Sequence, residues 1–213
     1  MAKIRRVRQH VNPLSSKYAQ PAIAPDWSEV FADTARPLHL DIGCAKGDFV
    51  REMAGRVPDW NFLGLEIREP LVERALMKRD RDEQWNLHFV FCNANNSLKA
   101  LLSSWPGTCP LQRASIQFPD PWFKKRHQKR RVVQPELVAQ LGELMLSGGW
   151  VWLQSDIEEV CAQMCDRFDE QAAFMREGEG WLAESPFLAM TDRERVTAVE
   201  KGLPVYRAKY IRR

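Results

Sequence analysis

Short apolar runs and amphipathic stretches take turns along this chain. Residues 37–43 (PLHLDIG) are mostly apolar and close on Asp41 and Gly43, and 48–57 (DFVREMAGRV) then sets Phe49, Val50, Met53, Ala54 and Val57 at helical spacing. The pair repeats: NFLGLEI (61–67) predicts a strand and EPLVERALMKRD (69–80) a helix, then LHFVFC (87–92) a strand and SLKALLSSW (97–105) a helix. ASIQF (114–118) predicts a fourth strand, and after a gap comes a helix over 134–147, with Pro135 at its start and Gly148-Gly149 at its stop. GWVWLQS (149–155) and DIEEVCAQMCDRF (156–168) supply a fifth strand and its helix. Alternation at this spacing predicts an α/β, doubly wound fold, a parallel sheet with helices on both faces.

In such sheets ligands bind beyond the carboxyl ends of the strands. Asp41–Gly43, Glu66, Asn93, Asp120 and Ser155–Asp156 all fall there. DIGCAKG (41–47) turns from strand to helix through Gly43 and Gly47, which let backbone approach a ligand closely. It is not GxGxxG, so a pyrophosphate at the helix N-terminus is not indicated. Glu66 ends the next strand, where this fold class sets an acid to accept hydrogen bonds from ribose hydroxyls. An acid-flanked loop suits a nucleoside with a cationic, phosphate-free tail; S-adenosylmethionine is such a molecule. Asn93 is a candidate partner for an adenine ring. Against this stands the reading of Gly43 and Gly47 as a tight turn and of Glu66 as merely solvated.

Charge sharpens the picture more by position than by sum. The net charge of the 213 residues is only +3, yet Lys3, Arg5, Arg6 and Arg8 open the chain and Arg207, Lys209, Arg212 and Arg213 close it. Between them lies FPDPWFKKRHQKRR (118–131), with six Lys or Arg from Lys124 to Arg131 and His127 among them. A local basic patch attracts phosphates whatever the global charge. Asp120 follows the fourth strand between Pro119 and Pro121, which restrict the backbone and aim the acid, and Trp122 and Phe123 offer faces for stacking on a base. The run predicts a nucleic-acid interface rather than a solvated loop, with a phosphate contact rather than a general base at His127. Five cysteines without a CxxC pair indicate neither a disulfide framework nor a metal site, and no apolar stretch is long enough to span a bilayer. These features predict a soluble, cytoplasmic protein. Residues 1–36 read as a basic arm that orders only in part, ahead of one domain over 37–213.

DIGCAKG, GLEIR (64–68), FPDPWFKKRHQKRR, SD (155–156) and TDRERVTAVEKGLPVYR (191–207) together resemble the bacterial tRNA (guanine-N7-)-methyltransferases, in order from about residue 37 to the C-terminus. The resemblance implies a Rossmann-like, mostly parallel seven-stranded sheet and methyl transfer from S-adenosylmethionine to guanine N7 in the tRNA variable loop. It implies cofactor contacts at Asp41, Glu66, Asn93 and Asp120, with Asp120 also catalytic. Contacts to tRNA or guanine would fall on Lys124, Asp156, Thr191, Asp192, Arg193 and Glu194. No metal, membrane or obligatory protein partner is implied, and the protein would be a monomer or homodimer. Ala45 stands where Gly is usual, and Phe123 where Pro is usual. Thr191 and Glu194 also fit a capping box, and Asp156 fits a helix cap. Two rivals stay open: a methyltransferase for exocyclic base nitrogens, and an RNA-binding subunit that has lost the chemistry.

Overall fold

The computed structural model describes residues 11–213. Seven strands form one sheet in the order β3-β2-β1-β4-β5-β7-β6: β1 (Leu38–Ile42), β2 (Asn61–Glu66), β3 (Leu87–Phe91), β4 (Leu111–Gln117), β5 (Trp150–Ser155), β6 (Phe174–Arg176) and β7 (Tyr206–Arg212). Strands β1 to β5 are parallel; β7 runs antiparallel to both β5 and β6. The helices are α1 (Trp27–Val30), α2 (Asp48–Arg56), α3 (Glu69–Arg81), α4 (Ala94–Ser103), α5 (Pro135–Leu144), α6 (Glu158–Asp169) and a short α7 (Asp192–Glu194) that continues as a wider π-type turn over Arg195–Glu200.

Side chains alternate across a strand, so β1, β4 and β5 present two different faces. Leu38, Leu40, Ile42, Ala114, Ile116, Val151 and Leu153 join the larger apolar core with Leu98, Leu101, Leu137, Leu141, Cys161 and Met164 of α4, α5 and α6. On the opposite face α2 and α3 bury Phe49, Val50, Met53, Val72 and Ala75 against Phe62, Leu87 and Phe89. The helices therefore cover both faces of the sheet.

Several expected boundaries move: β4 starts at Leu111 rather than 114 and α5 ends at Leu144 rather than 147. Helix α4 begins at Ala94 rather than 97, because the Asn93 side chain caps it by accepting from the Asn95 amide (3.2 Å). Within 1–36, residues 1–10 lie outside the described residues, and the rest runs along α4. Trp27 is buried, stacks on Trp105 at 5.0 Å and donates its indole N–H to the Leu101 carbonyl (3.1 Å). Asn96 holds the Tyr18 carbonyl (2.7 Å) and Ser97 the Ala22 amide (3.0 Å). The core therefore takes in residues ahead of position 37, a packing role that the sparse apolar pattern of that stretch did not announce.

Candidate active site

Strand order reverses between β1 and β4, and the loops leaving these two strands flank the crevice that such a reversal opens. The β1 loop turns through three left-handed residues: Gly43 (φ 86°), Ala45 (φ 51°) and Gly47 (φ 73°). The two glycines do different work. A Cβ on Gly47 would meet the Phe89 ring at 2.5 Å, so Gly47 lets α2 pack closely on the sheet, and it is not among the residues lining the two cavities at this turn. A Cβ on Gly43 would meet nothing within 4 Å; this position faces open space. The amides of Gly43 and Cys44 both donate to the Leu65 carbonyl (2.8 and 3.1 Å), which fixes the turn. Ala45 holds a conformation that costs an L-residue about 1–2 kcal/mol, and its amide donates to Glu66 Oε2 (2.9 Å).

Two cavities meet at this turn. The smaller, about 800 Å³ counting the open solvent at its mouth, is lined by Gly43, Glu66, Arg68, Asn93, Asn95, Phe118, Asp120 and Val132 among others. The larger, about 1450 Å³ on the same count, is lined by Asp41, Gly43, Lys46, Arg68, Asp120, Phe123, Asp156, Thr191, Asp192 and Arg193 among others. Asp120 lines both, together with Gly43 and Arg68. The backbone around it is strained: Phe118 (φ 49°) and Trp122 (φ 42°) are both left-handed and bracket Pro119-Asp120-Pro121. Bulky residues adopt this conformation only where the surroundings over-determine it, and such strain clusters at functional sites. One restraint is Arg131, whose Nε donates to the Pro121 carbonyl (2.7 Å) while Nη1 and Nη2 reach Gln163 (2.5 Å) and Glu159 (3.2 Å) on α6.

Arg131 is 4% exposed, so it is a strut and not part of an RNA-facing surface. The basic run therefore offers five cations and His127, not six. Trp122 sits edge-on to His127 at 5.8 Å, with the Arg130 guanidinium 5.0 Å from its ring centre. Lys124 is exposed and lines neither cavity.

The carboxylates differ sharply in surroundings. Glu66 is buried, and its four lone-pair directions are all used: Oε1 accepts from the Arg68 amide (2.9 Å) and Nε (2.8 Å), Oε2 from the Ala45 amide (2.9 Å) and Arg68 Nη2 (3.0 Å). Burial alone would lower the Arg68 pKa, but Glu66 and then Asp120 more than offset this and hold it above its ordinary value. Asp41 accepts from Ser115 Oγ (2.6 Å) and Gln117 Nε2 (3.4 Å). Burial nevertheless pushes its pKa up to about 6; the two hydrogen bonds work against the rise and the nearby Glu66 charge adds to it. Behind Ser115 lies His39, with Nε2 2.9 Å from Ser115 Oγ. Burial, helped by Arg113, drives the His39 pKa down to about 3, so the ring is neutral.

Asn93, besides capping α4, donates to the Pro13 carbonyl (3.3 Å). Asp156 does not cap α6, whose N-cap is Ile157; it binds Arg193 through Nε (2.9 Å) and Nη2. Thr191 Oγ1 accepts from the Glu194 amide (3.1 Å), half of a capping box. The other half is missing, because the Glu194 carboxylate turns inward to Gln154 (3.1 Å) and Arg207 (2.8 Å). Glu194 is only 2% exposed and lines neither cavity.

The residues present fit a cationic nucleoside cofactor. Gly43 leaves the space a Cβ would take, the buried Glu66 carboxylate and Asp120 border the same cavity, and Asn93 and Asn95 at the start of α4 line it as well. The family model described as "Putative methyltransferase" matches residues 35–208. A tRNA (guanine-N(7)-)-methyltransferase of Trichormus variabilis is 57% identical over 208 residues, covering 97% of this chain and 96% of the relative. One from Synechococcus elongatus is 56% identical over 212 residues, covering 100% and 98%. The chain belongs to the tRNA (guanine-N(7)-)-methyltransferase family. Among solved structures, the aminoglycoside resistance methyltransferase NpmB1 superimposes with a TM-score of 0.60 at 15% identity, covering 85% of this chain and 89% of that one. Precorrin-6y C5,15-methyltransferase from Geobacter metallireducens gives 0.54 at 12% identity, covering 87% and 85%; both share the fold.

In this methyltransferase family member, motif reading passed over His39, Ser115, Gln117 and Gln154. Their signal was available as period-2 alternation in LHLDI, ASIQ and VWLQ, which sets these four residues on the same face.

Proposed function

We propose that this chain transfers a methyl group from S-adenosylmethionine to N7 of a guanine in the variable loop of tRNA. The observation that carries this reading is Asp120, held in a strained turn and bordering both cavities at the strand-order reversal. The smaller cavity takes the cofactor, which when bound supplies an electrophilic methyl group on a sulfonium. The larger one, bounded by Asp156 and Thr191–Arg193 and flanked by the basic run, takes the nucleotide.

Guanine N7 carries an in-plane lone pair and needs no proton removed before it reacts. No strong base is required of the protein. Positive charge builds on the guanine ring as the new bond forms, and the Asp120 carboxylate, positioned beforehand, stabilises it. Alignment of the reactants adds the larger share, worth about 7–11 kcal/mol in well-oriented reactions. Glu66 can accept from a ribose hydroxyl only by giving up an Arg68 or the Ala45 contact, since its lone pairs are otherwise occupied. Side chains cannot read N7 in the deep, narrow major groove of A-form RNA, so the target guanine lies in irregular structure, as in a variable loop.

The test is mass analysis of tRNA nucleosides after incubation with labelled cofactor. N7-methylguanosine is a fixed cation whose strand cleaves with borohydride and aniline; a product methylated on an exocyclic nitrogen does not, and its appearance would refute the reading. Asp120→Asn is expected to lower turnover about 10²–10³-fold with tRNA affinity nearly unchanged. With five cations on phosphates, the log–log salt slope for tRNA binding is expected near about −3.5.

A further inference from the structure

The polar side chains on one face of β1, β4 and β5 form a single hydrogen-bonded line. Trp152 Nε1 donates to Gln154 Oε1 (3.1 Å), and because an indole can only donate, this contact fixes which end of the Gln154 amide is oxygen. The Gln154 Nε2 then donates both its hydrogens, one to Gln117 Oε1 (2.9 Å) and one to Glu194 Oε2 (3.1 Å). With its oxygen so engaged, Gln117 turns Nε2 toward Asp41 Oδ1 (3.4 Å). Sheet register lays this line out: Asp41 pairs with Ser115, Gln117 with Gln154, and Gln154 with Arg207, which holds the other Glu194 oxygen.

The line therefore joins Gln117, which lines the cofactor cavity as well as the larger one, to Glu194 at the end of the segment bordering the nucleotide cavity. Gln154 is fully buried and lines neither cavity, so it touches no ligand of either. Its amide has one arrangement that satisfies all three neighbours, and a shift of Glu194 breaks it. Chains of hydrogen bonds in low dielectric polarise one another, so loss of one link weakens the next.

We infer that Gln154 is a positioning residue that couples the cofactor half of the site to the tRNA half, by tying Glu194 to Gln117, which lines both cavities. The inference rests on the two-cavity reading above. Because such coupling is reciprocal, it can be read as the effect of one ligand on the affinity for the other. The probes are S-adenosylhomocysteine and an unmodified tRNA transcript, with calorimetric titration of the full-length protein. In the wild type, saturating tRNA is expected to tighten S-adenosylhomocysteine binding about tenfold. In Gln154→Met, which keeps the shape and removes the amide, that ratio is expected to fall below about twofold, with S-adenosylhomocysteine affinity in the absence of tRNA held within about twofold of wild type. If the Met variant does not fold, Gln154→Asn, which stays polar but reaches one acceptor only, is expected to behave the same way. A residue that merely supported the fold would weaken both affinities and leave their ratio unchanged. A wild-type ratio near one, or an undiminished ratio in the folded variant, overturns the inference. Absence of N7-methylguanosine from wild-type reactions overturns the functional reading instead; methylation with no coupling sinks only the coupling.

Discussion

On one face of β1, β4 and β5 lie Leu38, Leu40, Ile42, Ala114, Ile116, Val151 and Leu153, all within the larger core; on the other, one residue out of step, lie His39, Asp41, Ser115, Gln117, Trp152 and Gln154. Both sets are largely removed from water, Gln117 being the one only half-buried, but their energetics differ. The apolar face gains about 25 cal/mol for each Å² buried, with no directional demand. The polar face gains little net from each hydrogen bond and loses heavily if one partner is removed, because a buried donor or acceptor is then left unsatisfied. The same three strands thus carry a tolerant face that holds the sheet together and an exacting face that fixes side chains at its carboxyl edge.

Substitutions on the two faces separate these roles. Leu153→Ala is expected to lower unfolding free energy by about 3 kcal/mol in denaturant titration, with the Asp41 carboxyl titration midpoint, followed by NMR, unmoved. Ser115→Ala, on the other face, is expected to lower it by about 2 kcal/mol, since it strips a donor from Asp41 and an acceptor from His39. It also removes a hydrogen bond that favours ionised Asp41, so the Asp41 titration midpoint should move upward from about 6. A midpoint shift in the leucine variant, or none in the serine variant, would erase the distinction between the faces.

The smallest expected effect lies in the pH dependence of stability. His39 is held at about 3 against an ordinary 6.5, so its neutral form is favoured in the fold, and the stability it contributes above pH 6.5 is lost as pH falls toward 3. Asp41 acts in the opposite sense: its raised pKa penalises the fold above about 6, and acidification toward 3.8 relieves that penalty. His39→Gln keeps a donor for Ser115 and removes only the first effect. The stability difference between wild type and this variant should therefore shift by about 1–2 kcal/mol against the wild type between pH 7 and pH 5. A pH-independent difference would show that His39 titrates normally.

Much of this was legible in the residues. PLHLDIG, NFLGLEI, LHFVFC, ASIQF and GWVWLQS announce the parallel strands because apolar runs of that length, alternating with helical periodicity, bury themselves in one way only. FPDPWFKKRHQKRR announces an aimed acid beside a basic surface. Other features stayed hidden. Arg131 looks like its neighbours in sequence, and only the approach of Gln163 and Glu159 from α6 turns it inward. Gly43 and Gly47 are indistinguishable as letters, and only Phe89 makes one a packing glycine. Thr191 and Glu194 fit a capping box, yet Glu194 is drawn off by Gln154 and Arg207 from strands far along the chain.

Local pattern alone determined the types of β1 to β5 and of α2 to α6, the parallel core and the strand tips at which chemistry gathers, because periodicity and backbone preference act over a few residues; β6 and β7 did not show in it. Which polar groups meet was decided by tertiary structure. Strand order and register bring Asp41 opposite Ser115 and Gln117 opposite Gln154, pairings separated by dozens of residues, and a hydrogen bond exists only where geometry closes to within a fraction of an ångström.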